Sequence, residues 1–164
     1  MNNWGDITLK IYNRILSNES DMLSFGMRAA LAINERSVLF LSGPLGVGKT
    51  TFVRGLLKGL DYTGKVKSPT YTLIETYEMN NKLVAHVDLY RIKNDKELEG
   101  TGLTEQLALA DVSLIEWPIE NSKFLPPSDL HCLFTYEASK RLVQLKVCTK
   151  TGEMILSSLS FYDE

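Results

Sequence analysis

The chain has 164 residues, of which 44% are hydrophobic and 23% charged, and a formal net charge of −2. That length suits one domain built as a sheet with helices on both faces, and the charge balance argues against a protein that grips nucleic acid by itself, which would carry a basic stripe. No apolar run approaches membrane-spanning length, MNNWGDITLK is not a signal peptide, and Cys132 and Cys148 lack metal-ligand spacing, so the expectation is a cytoplasmic protein with two reduced core cysteines.

Trp4, Ile7, Leu9 and Ile11 alternate as an edge strand over residues 4–12 would. Residues 17–21 (SNESD) supply short polar caps and early acids. Met22, Phe25, Met27, Ala30, Leu31 and Ile33 follow at helical spacing, which predicts a helix over 19–35 whose Met and Phe residues either pack in the core or line an adenine pocket. Val38 to Ser42 reads as a buried strand, Gly43 to Thr50 has the spacing G-x-x-x-x-G-K-T, and Thr51 to Leu57 is helical in pattern. Each part has a physical use. Glycines let backbone N–H groups converge on a phosphate chain, and the new helix presents its positive end to the same phosphates. Lys49 would reach the β and γ phosphates and the Thr50 hydroxyl would ligate Mg²⁺. Lys58, Lys65 and Lys67 read as a solvated edge.

Beyond that helix, Tyr71 to Tyr77 alternates like a strand, Asn80-Asn81 marks a hairpin turn, and Leu83 to Asp88 is a buried strand ending in an acid. Glu97 to Glu99 and Leu103 to Ala110 are helical, interrupted at Gly100 and Gly102. Val112 to Glu116 is a third buried strand, again ending in an acid and followed by Trp117-Pro118. Residues 130–136 and 142–149 form a hairpin around 138–140, Thr151-Gly152 is a turn, and Met154 to Phe161 reads as a last strand. Strands alternating with helices predict an α/β fold: a P-loop NTPase-like, mostly parallel central sheet flanked by helices, with antiparallel additions that include the C-terminal hairpin.

A P-loop needs an acid for its metal at the carboxyl edge of a neighbouring strand. Asp88 and Glu116 both qualify. Thr70 occupies a loop where a hydroxyl either senses the γ phosphate or satisfies the turn after Pro69. His86 shares Asp88's strand face and reads as a buried, hydrogen-bonded histidine, and His131 as a strand-face residue. Trp117 either packs as core or walls the nucleotide, while Tyr71, Tyr77 and Tyr90 read as sheet packing. No N-K-x-D is present, and Asp88 is followed by Leu-Tyr-Arg, so GTP specificity is disfavoured. No arginine lies between 92 and 140, where a small-molecule kinase would place its lid, and no water-orienting Gln or arginine finger is evident. Intrinsic hydrolysis should be slow, with a partner completing the site.

GPLGVGKTT (43–51), VKSPTYTLIETY (66–77), HVDLYRI (86–92) and IEWP (115–118), in this order and spacing, resemble the TsaE (YjeE) family. The resemblance is dense over about 38–125. It implies a small ATPase that binds ATP with Mg²⁺, hydrolyses it slowly and acts with TsaD and TsaB. Those proteins transfer threonylcarbamoyl to adenosine 37 of tRNAs reading codons that start with A; the ATPase is not itself the transferase, meets tRNA through the complex, and resets that complex between turnovers. Carried over by motif, Gly43, Pro44, Leu45, Gly46, Val47, Gly48, Lys49, Thr50 and Thr51 would hold the phosphates. Thr50 and Glu116 would ligate Mg²⁺, Asp88 would support hydrolysis, Thr70 would sit in a switch loop, Trp117 would lie beside the nucleotide, and Arg141 could reach it from the hairpin. Met22 stands where many members carry Thr in the first helix.

Overall fold

The computed structural model describes residues 10–161. Seven strands form one sheet in the order β1-β7-β6-β2-β5-β4-β3. Its centre is parallel: β2 (Ser37–Ser42) lies between β5 (Val112–Glu116) and β6 (Leu130–Glu137), and β4 (Lys82–Asp88) pairs with β5. The additions are antiparallel: β3 (Ile74–Met79) on β4, β7 (Lys140–Val147) on β6, and β1 (Ile11–Leu16) on β7. This is the P-loop NTPase-like α/β architecture expected from the sequence.

Alternation along the strands divides the core. Leu39 and Leu41 face the layer made by α1 (Glu19–Ala32), α2 (Lys49–Gly59) and α4 (Lys150–Phe161), where Phe52 meets Phe134 edge to face and Phe25 at a tilt. Val38, Ala85, Val87 and Ile115 face the other side, covered by α3 (Leu103–Leu109) and the 3₁₀ turn at Asp95–Leu98. α1 begins where Asn18 Oδ1 accepts from the Asp21 amide at 2.9 Å. The turn at Asn80-Asn81 places both residues at positive φ (48° and 60°), the conformation that a two-residue hairpin requires.

Four expectations need correction. The first strand is Ile11–Leu16; of the stretch expected as strand, residues 4–9 lie outside the described residues. Pairing with β7 carries it six residues, up to the cap of α1. β3 starts at Ile74 because the chain turns first: the Leu73 amide donates to the Pro69 carbonyl at 2.8 Å, with Leu73 at φ 70°. Residues 154–161 are helix, not strand. Gly152, Ile155, Leu156 and Leu159 are the buried residues of α4, at the i, i+3, i+4, i+7 spacing of one helix face. Thr149 Oγ1 caps the start by accepting from the Gly152 amide, and Gly152 is a contact point with Asp129, where a Cβ would sit 1.9 Å from the carbonyl oxygen. Lastly, Cys132 is buried in the α1/α2 layer, with burial pushing its thiol pKa up, whereas Cys148 is exposed.

Candidate functional site

The loop between β2 and α2 turns on glycine backbone. Gly43 has φ 144° and Gly48 φ 117°, in the region side chains avoid, and a Cβ on Gly43 would stand 2.3 Å from the Phe134 carbonyl. The β6–β7 hairpin holds the loop from outside: Tyr136 Oη donates to the Leu45 carbonyl at 3.1 Å and Arg141 Nε to the Val47 carbonyl at 3.1 Å. The Arg141 guanidinium also lies over the Tyr136 ring at 4.4 Å.

Lys49, the first residue of α2, is buried. Its Nζ donates to the carbonyls of Gly43 (2.6 Å) and Pro44 (3.0 Å) and sits 4.2 Å from the centre of the Trp117 ring. Burial lowers the Lys49 pKa, against the pull of Glu116 and Asp88. Next along α2, Thr50 Oγ1 donates to Glu116 Oε1 at 2.9 Å. The same oxygen meets His86 Nε2 at 2.8 Å, and His86 is fully buried.

Parallel pairing sets Asp88 opposite Glu116 at the carboxyl ends of β4 and β5. Asp88 in turn organises the chain beyond it: Thr70 Oγ1 donates to Oδ2 at 3.0 Å and the Tyr90 amide to Oδ1 at 2.9 Å. Trp117 adopts φ 54° immediately after β5, donates its amide to the Leu41 carbonyl and packs on Tyr90 with ring centres 5.0 Å apart. It both joins the α3-side core and lines a cavity of about 250 Å³ together with Lys49, Thr50, Thr70, Asp88 and Glu116. Across the loop a second cavity of about 270 Å³ lies between Asn18 and Met22 of α1 and Arg141 of the hairpin.

The structure therefore brings Lys49, Thr50, Thr70, Asp88, Glu116 and Trp117 together, and Gly46, Gly48 and Thr51 line both cavities. Pro44 contributes its carbonyl, Leu45 is an exposed rim residue, and Val47 is buried with its carbonyl bound by Arg141. Tyr77 packs in the sheet as expected, but Tyr71 and Tyr90 do not: Tyr71 is 83% exposed beneath the Arg91 guanidinium, and Tyr90 covers Trp117. His131 is a strand-face residue bonded to Ser42 Oγ at 2.7 Å, and burial, then Lys146, lowers its pKa. The sequence carries no signal for Tyr136, which reaches Leu45 and neighbours Arg141 only through strand pairing.

Among the described residues no three His, Cys, Asp or Glu side chains converge as an all-protein metal cage. The oxygen donors at the cavity are instead hydroxyls, Thr50 and Thr70 among them, and the two carboxylates of Asp88 and Glu116, hard oxygens that suit a Mg²⁺ completed by phosphate and water. With the helix N-terminus and a lysine alongside, such a cavity can hold a phosphate chain with its metal.

The family model "Threonylcarbamoyl adenosine biosynthesis protein TsaE" matches residues 16–143. The tRNA threonylcarbamoyladenosine biosynthesis protein TsaE of Haemophilus influenzae is 37% identical over 150 residues, spanning 88% of this chain and 95% of that protein. The protein of the same name from Bacillus subtilis is 35% identical over 127 residues, 77% of this chain and 79% of its own. A crystal structure of Bacillus subtilis YdiB superposes with a TM-score of 0.80 at 27% identity, covering 97% of this chain and 100% of that one.

Proposed function

Since this chain belongs to the TsaE family of tRNA threonylcarbamoyladenosine biosynthesis, we propose that it is the subunit of that pathway that binds and slowly hydrolyses ATP with Mg²⁺. The observation that carries this reading is the continuous set Thr50–Glu116–Asp88–Thr70 beside Lys49 at one cavity. In this reading the triphosphate lies along residues 43–51, and Lys49 exchanges the Gly43 and Pro44 carbonyls for the β and γ phosphates. Thr50 and Glu116 hold the metal, which supplies charge neutralisation on the phosphates. Asp88 orients the attacking water or its neighbours, and Thr70, already bonded to Asp88, links the switch loop to the γ phosphate. The cavity between Met22 and Arg141 receives the base and ribose, with the Met22 thioether as an apolar wall.

Partner action follows from what the site lacks. Among the described residues no arginine lines the cavity of Lys49, Asp88 and Glu116, which supports slow turnover alone, with TsaD and TsaB as the partners that complete or trigger it; tRNA is engaged through them, and hydrolysis resets the complex. Absence of arginine from 92 to 140 also weighs against a small-molecule kinase. The test is phosphate release from ATP by this protein alone and with purified TsaD and TsaB. Slow release accelerated by the partners supports the coupled ATPase, and release indifferent to them refutes it. Asp88→Asn separates a third possibility: if ATP occupancy alone sets partner affinity, that variant binds ATP, fails to hydrolyse it and still sustains repeated tRNA modification.

A further inference from the structure

We infer that His86 is a positioning residue that aims Glu116 at the metal, a role that rests on the Mg²⁺·ATP reading above. His86 has no exposed surface, and its Nε2 lies 2.8 Å from Glu116 Oε1. A carboxylate only accepts, so the proton between them belongs to Nε2. Nδ1 is also buried, with no hydrogen-bond partner among the described residues. A bare lone pair is tolerated there more readily than an orphaned N–H donor, which selects the tautomer protonated at Nε2.

The consequence lies at Glu116. Both His86 Nε2 and Thr50 Oγ1 donate to the same oxygen, Oε1. Oε2 receives no hydrogen bond from the described residues and is the oxygen left for the cavity. Two donors from different elements, β4 and α2, therefore lock the carboxylate's rotation with its second oxygen free. A carboxylate held by its outer hydrogen bonds binds metal better than one left to rotate. Asp88, two residues along the same strand, has its own donors in Thr70 and the Tyr90 amide and cannot replace His86 in this task.

The experiment is calorimetric titration of the full chain with ATP, in Mg²⁺ and again in EDTA. Wild type should gain affinity from Mg²⁺; if ATP does not bind, or Mg²⁺ adds nothing, it is the Mg²⁺·ATP reading that fails. His86→Leu should lose about 10- to 100-fold of the Mg²⁺-dependent gain with affinity in EDTA unchanged. His86→Gln, whose amide Nε2–H can reach the same oxygen, should recover most of it. A Leu variant with the full Mg²⁺ gain, a loss equal in Mg²⁺ and EDTA, or a Gln variant as impaired as Leu overturns the assignment. Should His86→Leu not fold, ¹⁵N NMR of the unaltered protein still decides: a proton on Nε2 supports it, and a neutral imidazole protonated at Nδ1 alone, with no donor toward Glu116, refutes it.

Discussion

Lys49 is held by its own loop, through the Gly43 and Pro44 carbonyls and the Trp117 ring, and burial depresses its pKa below the ordinary 10.5. Phosphates favour the charged amine, so bound ATP must raise that pKa. The sign follows: affinity is full below the depressed value and falls as pH climbs through it, with proton uptake on binding in that alkaline window. Calorimetry in two buffers of different ionisation enthalpy should detect the uptake, and Lys49→Ala should abolish it while weakening ATP binding roughly 10- to 100-fold, the scale of a hydrogen bond to a charged group. Unchanged affinity in that variant would remove Lys49 from the phosphate site. Apart from Thr70, which lies in a loop, the residues of this site are legible because each sits at the end of a strongly apolar strand or inside a fixed spacing. Asp88 and Glu116 needed only the rule that ligands gather at the carboxyl edge. What spacing cannot express is lateral contact. The bond between His86 and Glu116 depends on β4 and β5 being neighbours, and the hold of Tyr136 on Leu45 depends on β6 lying beside β2. For Tyr71 and Tyr90, alternation predicts a face but not whether anything covers it, and both are exposed.

Helices α1 and α2 meet at glycines. A Cβ on Gly26 would stand 2.3 Å from the Phe52 carbonyl oxygen, and one on Gly55 would stand 2.2 Å from that of Leu23. Backbone rather than a flexible side chain blocks the space, so Gly55→Ala must push the helices apart. The expected cost is about 1–3 kcal/mol in urea unfolding, typical of overpacking. Because α2 begins at Lys49 and Thr50, ATP affinity should drop as well; a variant as stable and as tight-binding as wild type would show that the contact yields easily. The elements that the sequence predicted well are those with long apolar runs or explicit turn residues: β2, β4, β5 and both hairpins. α4 is not legible because Ile155, Leu156 and Leu159 are too few to separate a helix face from a short strand, and Thr151-Gly152 has the composition of a turn. Its helical state depends on the local Thr149 cap and on the close approach of Gly152 to Asp129, a residue just before β6 that lies far earlier in the chain.

At the scale of the molecule, ATP with Mg²⁺ should act as a cross-brace, since its proposed site joins α2, β4, β5 and the hairpin loop. Ligand at about 100 times its dissociation constant adds about 2.7 kcal/mol, which for a chain of this size raises Tm by about 5–10 °C. A thermal scan that shifts equally with ATP in EDTA would deny the metal a part in that brace. The strand order has another consequence. β2 carries the P-loop, yet its two neighbours, β5 and β6, come from the second half of the chain, and the loop's outer ties come from Tyr136 and Arg141. A fragment ending at Pro118 possesses every side chain assigned to phosphate and metal, but it leaves one edge of β2 bare and the loop untethered, and it should bind no ATP in calorimetry. During synthesis the P-loop therefore emerges long before it can work. The nucleotide can reward only finished copies, and a ribosome stalled after the last acid of the site has made a list of the right residues with nowhere to put them.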